Sequence, residues 1–469
     1  MDNLPQEIVS IIVSFLPTPG LSPFATLSTK WQEAVERRTF SRLAISSEDE
    51  EMQNFARTVT PTRRAHLRTL TFTVVVPFDE GGAKPRSQRQ ARFSEAFTGA
   101  VQRLFQVLAG GDSDDGGAAG MTLELGWVTS ARDYQDGREP RYLRQRIGLV
   151  NGGRQLPVVK CVSRLVLCVD RAARRVAPHV AVDLAARLPC LKSINVVATM
   201  EMGGMNEDEA AMHVDDRLAL ADTLRETGFL SDLPCREVSL SLEDQDPNVL
   251  GMKRRFVFPD CMNSLPYEPL GAAMRMWSQN LVALNLCGVF DGSLFWPGEA
   301  DPLAMPEFPW PCLRKFNVRL GLSTPTGAWY FTLKPGTKYR NVPCEDTIQP
   351  LFESWAKGLE CMPVLEQAAI LFQVELEITQ SGFASETSVE NWSVGIQAPD
   401  IVPDLVHHAW GRNILADDLR SPRLAFRNVG TWRPWKPTME KLHALGKDRF
   451  RSMNMIELEV DMFDKVTKT

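Results

Sequence analysis

Apolar and polar positions along this chain follow two periods, one helical and one alternating. The first stretch, Leu4-Pro5-Gln6-Glu7-Ile8-Val9-Ser10-Ile11-Ile12-Val13-Ser14-Phe15-Leu16, has helical spacing and breaks at Pro17. Pro5 suits a first helical turn, where its missing N–H would be unpaired anyway, and Glu7 follows against the positive end of the helix dipole. The helix is therefore expected to start at Pro5. Ile8, Ile12, Phe15 and Leu16 fall at i, i+4, i+7 and i+8 on one stripe, and Ile11 and Val13 widen it beyond what a small core needs. Part of that surface is expected to meet a partner.

The following residues repeat the grammar. Ser22 can cap a second short helix with Pro23 at its first position, and Thr29 with Gln32 reads as the capping box of a third. On that last helix Trp31, Ala34 and Val35 share a face, while Glu33, Glu36, Arg37 and Arg38 lie on the others. Leu43-Ala44-Ile45 then reads as a short strand. Ser47 with Glu50 would cap a helix carrying Met52, Phe55, Ala56 and Val59, ended by Thr60-Pro61.

From there an alternating phrase recurs: an apolar residue, two variable ones, then two apolar residues flanking a third variable one. It is read at Leu67, Leu70 and Phe72; Val162, Leu165 and Leu167; Leu191, Ile194 and Val196; Leu281, Leu284 and Leu286; and Leu313, Phe316 and Val318. Weaker copies begin at Cys235 and Leu365. Asn195, Asn285 and Asn317 occupy the same place in three copies, between the two apolar positions. In a strand the apolar pair faces one way and the residue between them the other, so each copy adds a rung to a sheet with one buried face. Helix candidates precede most rungs: Val176, Val180, Leu184 and Leu188; Leu218, Leu220 and Leu224; Met274 and Trp277; Ile348, Leu351, Phe352, Trp355 and Leu359.

The fold class expected is therefore α/β, a small helical unit at residues 1–45 followed by a repeated strand-and-helix body over 46–469. Polar or proline-rich loops are expected at about 78–92, 110–120, 130–156 and 291–312, the last folding Phe295, Trp296, Met305, Phe308 and Trp310 back over apolar surface. An amphipathic helix with Phe97, Val101, Leu104, Phe105 and Leu108 separates the first two. Near the end, a helix around Met439 to Leu445 precedes a closing strand with Ile456, Leu458 and Val460 alternating.

The opening residues resemble a known family. Leu4-Pro5-x-Glu7-Ile8, the stripe from Ile12 to Leu16, Leu21, the Ser28 region and Trp31 look like the F-box, a three-helix motif over roughly residues 2–42. The resemblance implies docking on a Skp-type adaptor, with Leu4, Pro5, Ile8, Ile12, Leu16, Leu21 and Trp31 at the contact or in the platform that shapes it. The recurring phrase resembles the leucine-rich-repeat core, at wider and less regular spacing than the usual repeat of about 20–29 residues. Taken whole, the chain resembles fungal F-box proteins with divergent, leucine-rich-repeat-like solenoid bodies. That implies a substrate receptor of a cullin-type ubiquitin ligase, held by the adaptor and cullin scaffold and presenting a protein substrate. A protein-binding scaffold acting without ubiquitin transfer is the alternative.

Composition narrows the other classes. The 469 residues carry a formal charge of −6, which gives no broad attraction to nucleic acid or anionic lipid, although Arg138, Arg141, Arg144 and Arg146 form one basic stretch. The opening run is shorter than the roughly 20 apolar residues a bilayer requires. It also lacks a basic leader and cleavage site, so a cytoplasmic or nuclear protein is expected. The nine cysteines form no C-x-x-C pair, and reduced, mostly buried thiols are expected, including those of Pro189-Cys190, Pro234-Cys235 and Pro311-Cys312.

No phosphate-cradling glycine loop, H-E-x-x-H or G-x-S-x-G motif occurs, and no cofactor, metal or catalytic group is expected. Adjacent His407 and His408 point about 100° apart on a helix and cannot share a metal. Trp432-Arg433-Pro434-Trp435 reads as a packed corner rather than a ligand platform. The expected recognition surface is the open sheet face, with Thr69, Thr71, Arg164, Ser193, Asn195, Glu237, Ser239, Ala283, Asn285, Lys315 and Asn317 pointing outward. Within it Ser193, Asn195, Asn285, Lys315 and Asn317 are the candidate substrate contacts.

Overall fold

The computed structural model describes residues 4–76, 86–110, 120–129, 147–168, 176–198, 207–226, 234–242, 260–301, 309–335, 340–378, 386–401, 418–450 and 455–460. Arg138, Arg141, Arg144, Arg146, Met305, Phe308, His407, His408 and most of the expected loops at 78–92, 110–120 and 130–156 lie outside them. The fold is mixed α/β with mostly parallel strands, and it divides into two compact units, Met1–Ala198 with Asp232–Cys235, and Thr199–Ser231 with Arg236–Thr469.

The first unit opens with helix α1 (Gln6–Phe15), a 3-10 turn at Ser22–Thr26 and helix α2 (Thr29–Thr39). Pro5 flanks α1 instead of starting it, and the second expected helix is only that 3-10 turn, with Ser22 at its first position. The capping box at Thr29 and Gln32 does not form: Ser28 flanks α2, its carbonyl takes the Gln32 N–H, and Gln32 turns to Glu36. Strand β1 (Arg42–Ser46) and helix α3 (Asp49–Thr58) follow. Ser47 does not cap α3; its hydroxyl accepts the Val75 N–H at 2.8 Å, and Glu48 takes the flanking place. Pro61 starts the short helix α4 (Pro61–Arg64), capped by the Thr60 hydroxyl.

Strands β2 (Thr69–Val76), β3 (Met121–Thr129), β4 (Val162–Cys168) and β5 (Ser193–Val197) then continue from β1, every neighbouring pair parallel and in chain order. Helix α5 (Arg86–Ala109) returns the chain from β2 to β3, and α6 (Val180–Ala185) from β4 to β5. One sheet face is apolar and shut: Leu70, Phe72, Val74, Leu123, Leu165 and Ile194 are all buried, with α5, which buries Phe97, Val101, Leu104, Phe105 and Leu108, packed on β2 and α6 on β4. The alternation that defined the rungs thus sets which face is covered. Two expected loops are shorter than their sequence suggests: residues 86–92 belong to α5, and Ile147, Leu149 and Leu156 are buried beside a 3-10 turn at Val150–Gly153. In the described part of the 291–312 loop, Phe295 and Trp310 are fully enclosed, as expected of a segment folded back over apolar surface.

In the second unit β6 (Glu237–Ser241), β7 (Ala283–Gly288) and β8 (Lys315–Leu320) again run parallel and in order. A hairpin of β9 (Phe331–Leu333) and β10 (Arg340–Pro343) forms its own two-stranded ladder and packs Phe331 against Phe372 and Trp392. β11 (Gln367–Ile378) pairs parallel with β8, but β12 (Glu386–Gln397) is antiparallel to both β11 and β13 (Arg423–Arg427), and β14 (Ile456–Val460) closes parallel to β13. The helices are α7 (Glu207–Glu226), α8 (Pro269–Ser278), α9 (Glu345–Glu360) and α10 (Lys436–Phe450). Leu220, Leu224, Met274, Trp277, Ile348, Leu351, Phe352, Trp355 and Leu359 are buried, as their spacing required, while Leu218 of the same expected set is half-buried.

Two charged pairs are enclosed with these helices. Arg217 on α7 meets Glu268 at 3.0 Å and donates to the Val289 carbonyl at 2.7 Å, while the Glu268 carboxylate caps α8 at the Leu270 and Gly271 N–H groups. Arg275 and Asp301, both wholly enclosed, meet at 2.7 Å. Buried thiols hold for Cys161, Cys235 and Cys261, but Cys190 and Cys312 are exposed, because each stands one residue before the first apolar position of its rung, the position that Cys235 itself occupies.

Candidate functional site

The three-helix unit buries Val9, Val13, Leu21, Trp31, Ala34 and Val35 in one cluster, with Leu4, Leu16, Phe24 and Ala25 packed around it. Phe24 stacks on Trp31 at 5.7 Å between ring centres. Polar contacts hold both ends of α1. Lys30 Nζ donates to the Leu4 carbonyl and Gln6 Nε2 to the Lys30 carbonyl, each at 3.1 Å, while the Arg38 guanidinium closes on the Val13 carbonyl. The unit is tied onward by Glu36, which accepts from Arg63 Nε and a terminal guanidinium nitrogen, at 2.9 Å for the closer. Burial pushes the Glu36 carboxyl up, but the Arg63 hydrogen bonds and charge outweigh it and hold the group below its ordinary value.

What faces inward differs from the expected stripe. Val9 and Val13 carry the packing, Leu16 is half-buried, and Ile8, Ile11, Ile12 and Phe15 stand outward at 42%, 52%, 36% and 84% exposure. At 3.6 residues per turn these four occupy an arc of about 100°, beside the buried arc rather than within it. Helix α1 therefore has two apolar faces, one used internally and one uncovered. Of the expected adaptor residues, Ile8 and Ile12 are on the uncovered face, Leu4 and Leu16 border the core, Pro5 is exposed, and Leu21 and Trp31 are inside the core at 2% and 4% exposure. Ile11 and Phe15 complete the face; their i, i+3, i+4, i+7 spacing with Ile8 and Ile12 is the sequence signal for them.

The second face of each sheet is polar. In the first unit the register aligns Arg42, Thr69, Thr122, Arg164 and Ser193 in one row and Ala44, Thr71, Glu124, Val166 and Asn195 in the next. Thr71 Oγ1 donates to Glu124 at 2.8 Å. In the second unit Ser239, Asn285 and Asn317 are in register, and Asn317 Nδ2 donates to Asn285 Oδ1 at 3.0 Å. Gln367 Nε2 reaches Asn317 Oδ1 at 3.4 Å. Asn317 is only 2% exposed, so it is a rung-to-rung tie and not an outward contact. Its face closes over at β11 to β13, where Ala369, Leu371 and Ala425 are buried together. Ser193, Asn195, Asn285 and Lys315 remain half-exposed.

Among the described residues no group of three or more histidine, cysteine, aspartate or glutamate side chains is placed to hold a metal. A polar cleft of about 710 Å³ lies between the start of α3 and the flank of α5, lined by Ser47, Asp49, Gln102, Arg103 and Gln106, with Arg103 ion-paired to Asp49. The tryptophan corner is packed at Trp432 but not at Trp435, which is 50% exposed. Trp432 Nε1 donates to Glu345, its ring lies 5.0 Å from Trp392, and the Gln349 amide bridges the Arg433 carbonyl and Trp435 N–H.

No single helix among the described residues is long and apolar enough to cross a membrane; α1 with the turn after it reaches the required composition only across a bend of 119°. No protein-family model matches the chain, and no curated protein matches it.

Proposed function

We propose that the three-helix unit is an F-box and that the protein is a substrate receptor of a cullin-type ubiquitin ligase, binding a Skp-type adaptor through α1 and a target protein through the open sheet face. The observation that carries this reading is the uncovered stripe of Ile8, Ile11, Ile12 and Phe15 on a helix whose other apolar face is already filled by Val9 and Val13. A surface helix gains nothing from a second apolar face unless something closes over it, and such patches mark protein contacts. Each of these side chains, fully covered, contributes about 1.5–3 kcal/mol. The parallel strands in chain order, one face filled and one polar, support the leucine-rich-repeat-like solenoid reading of the body.

The role needs no cofactor and no catalytic side chain. A receptor accelerates transfer by holding target and conjugating enzyme in one assembly, which raises their effective concentration.

Purification of the tagged full-length chain from cells tests this reading. The wild type is expected to recover a Skp-type adaptor and a cullin together, and the Ile8→Lys/Ile12→Lys variant neither, with its melting temperature unchanged. Equal recovery by the variant overturns the docking assignment. Adaptor without cullin favours the scaffold that acts without ubiquitin transfer.

A further inference from the structure

The open face of the first unit's sheet, together with the rim where its strands begin, carries a line of cations in a chain that is acidic overall. Arg42 on β1 and Arg164 on β4 lie in the same register row of that face, and Arg68 and Lys192 stand at the rim, just ahead of the first residues of β2 and β5. All four are exposed, and none of their side chains has a hydrogen bond or ion pair with a described residue. Glu124 is the one carboxylate among the described strand residues of this face; it sits a row away and takes a hydrogen bond from Thr71. Between the cations, the side chains of Thr69, Thr122, Ser193 and Asn195 likewise have no partner among the described residues. The protein's net charge of −6 makes such an uncompensated basic line a local feature and not a consequence of composition.

We propose that this face binds an extended, carboxylate-rich segment of a partner polypeptide lying across the strands. Strand spacing fixes its scale. Neighbouring strands are about 4.8 Å apart, so Arg42 and Arg164 stand about 14 Å apart and the whole line from β1 to β5 spans about 19 Å. An extended chain advances about 3.4 Å per residue. Acidic side chains four residues apart therefore match Arg42 and Arg164, and about six residues cover the line. The unpaired hydroxyls and the Asn195 amide beneath are positioned to meet the peptide groups of that segment, while the cations take its carboxylates.

Charge and chemistry favour this partner over the alternatives. Tight nucleic-acid binders neutralise about 6–10 phosphates. Here four cations are backed by a net acidic protein, and the described side chains of this face include no aromatic ring for base stacking. An anionic membrane would also want apolar residues beside the cations, and this face presents hydroxyls. The proposal rests on reading the open face as a recognition surface, but not on the adaptor.

Fluorescence anisotropy on the full-length protein tests it, with a labelled dodecapeptide carrying Asp or Glu at alternate fourth positions and its Asn/Gln counterpart. The acidic peptide is expected to bind, its affinity falling as salt rises. Arg42→Glu/Arg164→Glu is expected to weaken it at least tenfold without moving the melting temperature or the recovery of adaptor, while Arg57→Glu on α3 leaves it unchanged. Binding of the neutral peptide equal to the acidic one overturns the proposal, as do unaltered affinity in the double variant and tighter binding of a twelve-nucleotide oligothymidylate. Residues 111–119, with Asp112, Asp114 and Asp115, lie outside the described ones. If the peptide binds only once those three are changed to Asn, the face is filled by this chain itself and the partner reading is overturned.

Discussion

At the scale of single residues, the most consequential side chains are charges placed where water does not reach. Arg217 and Glu268 are 4% and 1% exposed, and together they tie α7 to the start of α8 and to the end of β7 through the Val289 carbonyl. Removing one member of such a pair leaves the other buried without its counter-charge, which costs about 3–5 kcal/mol, whereas replacing both with well-packed neutral groups costs far less. Arg217→Met is accordingly expected to lower the denaturant midpoint sharply, and Arg217→Met/Glu268→Gln to recover much of the loss. Burial pushes the Glu268 carboxyl up, against the pull of Arg217 and the Gly271 N–H. A raised acid favours the protonated form in the folded state. Its contribution is therefore greatest below the ordinary carboxylate pKa of about 4.3 and declines as pH climbs through the raised folded value. Removing Arg217 takes away a lowering influence, so the variant is expected to lose stability relative to wild type as pH rises from 4 to 8. Chemical denaturation across that range checks it; a pH-independent difference would show that Glu268 stays in one protonation state.

At the scale of elements, α1 shows how much an amphipathic pattern tells and where it stops. The expected stripe included four residues of the uncovered face, but periodicity alone did not divide the apolar arc into a half packed on Trp31 and a half left open, because both halves are equally apolar. Trp31 illustrates the same limit: its spacing from Leu4-Pro5 was legible, its enclosure behind Phe24 was not. These places predict opposite phenotypes. Trp31→Ala removes a buried ring and is expected to cost about 3–5 kcal/mol and unfold the three-helix unit. Ile8→Lys/Ile12→Lys alters exposed positions, where substitutions stay within about 0.5 kcal/mol each. Circular dichroism melts separate them, and equal destabilisation would mean that the uncovered face is part of the fold's own packing. Rungs with a leucine-type phrase were equally readable, because alternate burial writes itself into period two. No leucine-type phrase marks strands β3, β9, β10, β12 and β13. β3 follows a glycine-rich run that reads as loop, and β13, Arg423–Arg427, is buried on both faces and carries arginine at each end, so it shows no alternation.

At the scale of the whole molecule, each unit's sheet must end somewhere, and an open edge is a site for unwanted pairing. In the first unit the edge strand β1 is five residues long and begins with exposed Arg42. In the second, the parallel series gives way at β12 to an antiparallel arm, and β14 closes it with Glu457 and Glu459 between its apolar residues. Glu457 meets His443 of α10 at 2.7 Å, and Glu459 pairs with Arg433. The strand beneath, β13, has no such protection. Leu424, Ala425 and Phe426 are buried, and all five of its residues pair with β14 in register. Ending the chain after Phe450 uncovers the β13 edge, with its backbone groups unpaired and Ala425 stripped of its contact with Leu458. That truncation is therefore expected to lower the melting temperature by several degrees and to raise light scattering on heating, while a chain ended after Val460 isolates the contribution of β14 from that of the residues beyond it. Charged replacement of the edge separates pairing from packing. Leu424→Lys in the truncated chain buries a charge and fails to fold, whereas a peptide of residues 455–460 added back in solution restores the ladder and suppresses scattering if the edge is the cause. Scattering unmoved by the peptide and a melting temperature equal to wild type would mean that β13 tolerates an open edge, and that the closing strand is dispensable to the sheet it borders.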